Sequence, residues 1–331
     1  ATLPQQLFAH DIQQQQWQLS RPDATDGYGW GGRLADMLQS ASAAASPTVS
    51  MNISIAGVNR FLSGRTVNPY VLGPEGPPTL ADEGSEGLDR AFLDLLSAVD
   101  DPAQPNPNAL VRSVRDISSQ AITNNQIIRD ILERGSRITS RPPEANELAT
   151  QLATVARLIE VGRTGLGHRR QVFFVAIGGF DHHDGLVGPS GAEGPHGALL
   201  TQVDDALMYF WSALSEIGQR DNVTTFTASD FGRTFRSNGN GSDHGWGGHH
   251  FVMGGAQLRG GRVYGKFPNI RVDGPDDTGL GRFIPTTSVD QYGFELAKWM
   301  GVPPTEMRTV FPNIDRFLDP GDPSTHLGML T

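Results

Sequence analysis

Three short clusters in the middle of this chain hold most of the side chains able to do acid–base or metal chemistry. Phe180-Asp181-His182-His183-Asp184 follows a double glycine, and Asp230-Phe231-Gly232-Arg233-Thr234 follows an apolar run. Asp243-His244 and His249-His250 lie in a glycine-rich stretch from Asn238 onward. Six of the nine histidines (182, 183, 196, 244, 249 and 250) fall between residues 171 and 250. Carboxylate and imidazole donors together suit zinc, manganese or iron, so this composition predicts a divalent-metal site using at least Asp181 and His244. Asp181 and His183 are two apart and would point the same way from extended backbone, although the sequence does not say whether His182 or His183 turns inward. Each residue also has a plainer reading: aspartates cap helices and make turns, and loop histidines are often merely solvated. Arg233 is open to two roles, a fork matched to an oxyanion or a donor to a backbone carbonyl. His196, in Gly194-Pro-His-Gly, reads as a loop residue, and His249 and His250 as pocket lining or strand edge.

The elements around these clusters would place them together. Gln171-Val-Phe-Phe-Val-Ala-Ile177 is a continuous apolar run and predicts a strand buried on both faces. Leu199–Ile217 carries Val203, Leu207, Phe210, Leu214 and Ile217 at helical spacing, and Asn222–Ser229 predicts a second strand. Strand, helix, strand in that order is a βαβ unit, so the two strands are expected to run parallel with a right-handed crossover. Asp181 and Asp230 would then both emerge at carboxyl ends, where open α/β sheets collect their ligands. Upstream, short helices are expected in the glutamine-rich start and over Gly29–Ser40, and a strand over Thr48–Ile55. Residues 62–87 read as a long loop, and helices are expected at Ala91–Val99, Ala109–Arg134 and Ala145–Val161. The chain reads as a single domain over 1–331, with 62–165 as a helical cap or insertion. Beyond residue 250, two short strands (Phe251–Met253 and Gly261–Tyr264) should flank a turn, and Ser288 should cap a helix over Val289–Met300.

Composition removes several classes. A chain of 331 residues can bury a large core, and a net charge of −10 argues against nucleic acid, whose phosphates favour a basic surface. No apolar run approaches the length of a membrane span. The absence of cysteine removes disulfides and thiolate ligands. The opening Ala1-Thr-Leu-Pro, with neither initiator Met nor signal peptide, reads as a processed or trimmed start.

Taken as a set, several segments resemble the DUF1501 family of the alkaline phosphatase and sulfatase superfamily. They are Gly178-Gly-Phe-Asp181-x-His183, Thr227-Ala-Ser-Asp230-Phe-Gly-Arg-Thr234, Asp243-His244-Gly-Trp-Gly, Tyr264-Gly-Lys-Phe-Pro268 and Ser288-Val-Asp-Gln-Tyr-Gly-Phe-Glu-Leu-Ala-Lys-Trp299. Thr2–His10 and Gly29-Trp-Gly-Gly-Arg33 also resemble its middle section. The resemblance implies an alkaline-phosphatase-like α/β fold, a mostly parallel sheet flanked by helices, here lacking the usual upstream N-terminal segment. It implies a metal-dependent hydrolase of phosphate or sulfate esters with one or two divalent ions, zinc, manganese, calcium or iron. Asp181, His183 and His244 would hold one ion, and Asp230 would serve a second ion or act as base. Phe231 stands where a histidine would complete that second site. Arg233 would neutralise an oxyanion. A small-molecule or polysaccharide ester is the implied substrate, a homo-oligomer is compatible with the family, and a periplasmic or extracellular location is implied. Loss of the upstream nucleophile segment leaves the alternative of a non-catalytic secreted or surface protein that keeps the fold.

Overall fold

The computed structural model describes residues 6–22, 24, 27–40, 49–77, 109–189 and 193–331. The architecture is mixed α/β, with a small parallel sheet, two antiparallel strand pairs and helices on both sides. Strand β1 (Asn52–Ser54) is central to the parallel sheet, between β2 (Tyr70–Val71) and β3 (Val172–Phe174). Ile53 pairs with Tyr70 on one side and with Phe173 on the other. The alternation of the strand sends Phe173, Val175 and Ile177 into one core and Val172 and Phe174 into a second, opposite one.

The first core is formed mainly by two helices, α4 (Glu147–Gly165) and α5 (Pro195–Glu216). Leu152, Val155 and Leu158 of α4 and Phe210 and Leu214 of α5 are almost completely buried. Helix α3 (Ala109–Leu132) joins them only through its last turns, where Ile128 and Ile131 are buried. Its earlier apolar residues Leu110, Val114 and Ile117 are exposed, although their spacing suits a buried face. The second core packs α2 (Trp30–Ser40) against α6 (Val289–Trp299) and α7 (Met307–Val310). Helix α6 starts as the sequence suggests, with Ser288 and Gln291 forming a capping box. Glycine is required at the start of α2, because a Cβ at Gly32 would overlap the backbone of Ser63.

Helix α1 (His10–Leu19) lies against this second layer and is held at several points. Gln18 accepts the backbone N–H groups of Arg60 (2.9 Å) and Phe61 (3.1 Å). Arg33 donates to the carbonyls of Leu19 and Val310, both at 2.7 Å, so one half-buried guanidinium ties α1 to α7. Trp17 meets Tyr292 and His250 edge-on. No helix among the described residues is long and apolar enough to cross a membrane.

Three expectations need correction. β4 (Thr224–Phe226) does not pair with β3; it pairs antiparallel with β7 (Val252–Gly254), in register Thr224↔Gly254 and Phe226↔Val252. The chain leaves β4, makes the hairpin β5 (Gly232–Ser237) and β6 (Ser242–Gly245), and returns alongside β4, so its nearest strand partner is the returning segment. Among the described residues the parallel sheet is therefore small, three strands, and β4 to β7 form two separate antiparallel pairs. No strand forms over Gly261–Tyr264, where Val263 is the only aliphatic side chain and is 88% exposed. His196 is helical, in the first turn of α5 after Pro195. The helix expected at Ala91–Val99 lies outside the described residues.

One buried polar contact leads from this scaffold to the chemistry. Gln151, 2% exposed, donates to the carbonyl of Ala176 (2.8 Å) and accepts its N–H (2.9 Å). Those two bonds fix the backbone just past β3, immediately before Gly178-Gly179. Replacing Gln151 with leucine should destabilise the protein by about 1–3 kcal/mol, the cost of orphaned buried peptide groups, as read from chemical denaturation. An unchanged midpoint would mean that Ala176 does not depend on this side chain.

Candidate metal centre

The backbone turns after β3 at Gly179, whose φ of +89° suits glycine, and delivers Asp181 beyond the strand end. Three imidazoles converge on its carboxylate. His244 Nε2 lies 2.8 Å from Oδ1 and His183 Nε2 3.0 Å from the same oxygen, while His10 Nε2 is 3.1 Å from Oδ2. The hairpin supplies His244, which sits opposite Arg233 in the β5–β6 register. His10 is the first residue of α1.

The far nitrogen of each ring is tied to an acceptor. His10 Nδ1 is 2.6 Å from Asp230 Oδ2, His244 Nδ1 is 2.8 Å from the carbonyl of Phe8, and His183 Nδ1 is 3.2 Å from Asp243 Oδ1. A carbonyl can only accept, so Nδ1 of His244 carries a proton and Nε2 is the atom able to offer a lone pair. Metal-binding histidines are commonly held in this way, with the second nitrogen donating to a carboxylate or carbonyl. Donor atoms of His10, Asp181 and His244 all lie within 4.8 Å of one another, close enough to share one cation. The donor set therefore fits a divalent ion. His183 touches Asp181 but falls outside that trio, and Asp230 reaches it through His10.

The remaining candidates are placed as follows. Arg233 donates to the carbonyls of Ser242 (2.7 Å) and Phe180 (2.5 Å) and comes within 3.6 Å of Asp181. Asp243 accepts from Asn238 (2.9 Å) as well as facing His183. His183, not His182, faces Asp181; the Nε2 of His182 and the Nδ1 of His196 are buried without a hydrogen-bond partner. His250 lies between Trp17 and Tyr292, and burial pushes its pKa down to about 4. His10, Asp181, Asp230, Arg233, His249 and His250 all line one cavity. Sequence reasoning passed over His10. It stands 171 positions from Asp181 and 220 from Asp230, in a glutamine-rich helix with no local spacing to single it out.

Electrostatics follow from the geometry. Burial raises the pKa of Asp181, but hydrogen bonds from His244 and His10 and the neighbouring imidazole charges outweigh it and hold the group at about 2. Its stabilising effect is present above its ordinary value of 3.8 and is lost as pH falls from there through about 2. His10 shifts the other way. The hydrogen bond to Asp230 raises it most, burial opposes this, and the bond to Asp181 adds to the rise. An imidazole between two carboxylates is best satisfied when both nitrogens carry protons. Its contribution is therefore full below pH 6.5 and fades as pH rises through the raised value. In metal-free protein, NMR titration of the His10 ring should give a midpoint above 6.5, and Asp230→Asn should lower it. A midpoint at or below the ordinary value, unmoved by that substitution, would contradict the placement of His10.

Comparison with known proteins adds a family and no closer relative. No curated protein and no solved structure matches the chain. The profile of a family described as "Protein of unknown function (DUF1501)" matches residues 2–278. That span carries all three clusters of the site, and the chain belongs to the DUF1501 family.

Proposed function

We propose that this chain is a metal-dependent hydrolase of phosphate or sulfate esters, with one divalent ion held by His10, Asp181 and His244. The observation that carries the metal assignment is the common arrangement of His10 and His244, each with Nδ1 tied down and Nε2 turned to the same carboxylate. Two imidazoles and one carboxylate favour zinc, manganese or iron over calcium, which takes oxygen ligands. The choice of ester rests on the likeness of the motifs to the alkaline phosphatase and sulfatase superfamily. Bound at this position, the ion would supply Lewis-acid polarisation of an ester oxygen.

The protein's own groups then have separable tasks. Asp230 holds the Nδ1 proton of His10, keeping Nε2 aimed at the site, and faces the cavity as a base for an incoming water. Arg233 is fixed by two carbonyls beside Asp181. A guanidinium has five N–H donors, and its charge, held in place, neutralises an oxyanion entering from the cavity. His183, held by Asp243, is the next imidazole in reach of Asp181.

One observation favours a second reading. Asp181 is already engaged on both oxygens by protein donors, which also suits a non-catalytic protein whose ion is structural. Metal analysis and turnover separate the two readings. Protein stripped with EDTA and reloaded with zinc or manganese should take up metal and cleave an aryl phosphate or aryl sulfate; stoichiometric metal without turnover supports the second reading. Under both, Asp181→Ala should abolish uptake, and metal content equal to wild type in that variant would remove the site. Asp230→Asn should weaken affinity by about 10- to 100-fold while keeping the stoichiometry, the usual effect of losing a partner behind a metal-binding histidine. An unchanged affinity would detach Asp230 from His10.

A further inference from the structure

One aromatic ring touches both of the imidazoles directed at the ion and the guanidinium directed at an oxyanion. Phe231 stacks on His244, with ring centroids 4.4 Å apart and planes inclined by 28°. It meets His10 almost at right angles, at 5.1 Å and 87°. The guanidinium carbon of Arg233 lies 4.7 Å from the centre of the same ring. His10 and His244 also meet each other edge-on, at 4.4 Å, so three rings and one guanidinium form a single packed group.

The hydrogen bonds around these side chains leave a freedom that packing must remove. A bond to Nδ1 selects which imidazole nitrogen faces Asp181, but the ring can still tilt about the line between its two bonded nitrogens. The outer torsion of a histidine side chain is broad and does not hold the plane by itself. His244 is tethered from behind by the carbonyl of Phe8 at 2.8 Å, and the stacked face of Phe231 resists its tilt. Tilt matters, because a functional site needs its groups within about 10–20° of the productive direction. Arg233 is fixed at its outer nitrogens by the carbonyls of Ser242 and Phe180. Attraction between its charge and the face of Phe231 seats the guanidinium between those bonds.

The backbone holds Phe231 in place independently of any ion. Its carbonyl accepts the hydroxyl of Ser229 at 2.9 Å, closing the bend after β4. The next residue, Gly232, opens β5, and a Cβ there would overlap the carbonyl of Gly247. The chain is therefore pinned on both sides of the ring.

We propose that Phe231 is a positioning residue that couples the metal and oxyanion positions, setting the ring planes of His244 and His10 for the ion and seating Arg233 for the anion. Resting on the hydrolase reading for what the two positions bind, this role predicts a joint loss from a single substitution. Leucine at 231 keeps the apolar bulk and removes the flat face, whereas tyrosine keeps the face. Phe235→Leu serves as a control on the same strand, because that ring is exposed and packs on Phe283.

NMR of the metal-free proteins reads the packing directly. The carbon-bound ring protons of His244 should lie upfield in wild type and in Phe231→Tyr of their positions in Phe231→Leu, where the ring current is gone. Zinc affinity, scaled to the folded fraction, should fall about 10-fold in Phe231→Leu, through the loss of two aromatic contacts behind the donor atoms. Affinity of the zinc-loaded protein for inorganic phosphate should fall by about 3-fold in the same variant, the share of the cation–π contact. Phe231→Tyr and Phe235→Leu should keep both affinities. Should leucine prevent folding, Phe231→Met removes the same face and answers the same question. Unchanged zinc affinity in the folded non-aromatic variant, zinc loss without phosphate loss, or equal losses in Phe235→Leu would overturn the proposal. So would His244 ring protons at the same positions in wild type and the non-aromatic variant. Wild-type protein that takes up no zinc would sink the hydrolase reading and this role together, whereas wild type that binds zinc beside an unimpaired leucine variant would sink this role alone.

Discussion

The site depends on one carboxylate that three imidazoles share. Asp181 is met by His10, His183 and His244 at 2.8–3.1 Å, and each ring is steered from behind by a different segment. Asp230, beyond β4, steers His10; the carbonyl of Phe8, ahead of α1, steers His244; and Asp243, in β6, steers His183. A hydrogen bond between exposed groups contributes little to stability. Here its effect is directional, because each tether selects which nitrogen faces Asp181. The low pKa of Asp181 and the raised pKa of His10 are two consequences of this single constraint.

The scaffold can be understood as the means of bringing those segments to one point. The bonds from Gln151 to Ala176 fix the exit of β3, and the hairpin of β5 and β6 carries His244 to Asp181. Helix α1 has a weak apolar face of its own and depends on Arg33, Gln18 and Trp17 for its position. The burial of Arg33 lowers its pKa to about 10, and the guanidinium is retained there because it joins the ends of two elements.

Local signals were the legible part. The apolar run at 171–177 announced β3, the spacing of Phe210 and Leu214 announced the buried face of α5, and Ser288 with Gln291 announced the start of α6. Asp181 and His244 were also visible, as an acid after a strand and an imidazole in a glycine-rich stretch, and they lie 2.8 Å apart. What could not be read was set by distance along the chain. His10 has no neighbour in sequence that marks it, and its partners come from strand ends far downstream. The partner of β4 was misjudged because two apolar runs around a helix suggest a βαβ pair, whereas the choice of β7 depends on how the hairpin between them folds back. Arg233 could be narrowed only to two roles, since the direction of its fork is decided by the carbonyls of Phe180 and Ser242.

The proposed cation position is defined by His10, Asp181 and His244, with Asp230 behind His10 and not at the ion. Anomalous diffraction from crystals loaded with zinc or manganese, recorded at the absorption edge of the metal, locates the ion directly. A peak within bonding distance of His10 Nε2, His244 Nε2 and an Asp181 oxygen is the predicted result. A peak on other side chains, or none at these three in crystals that contain metal, would contradict it.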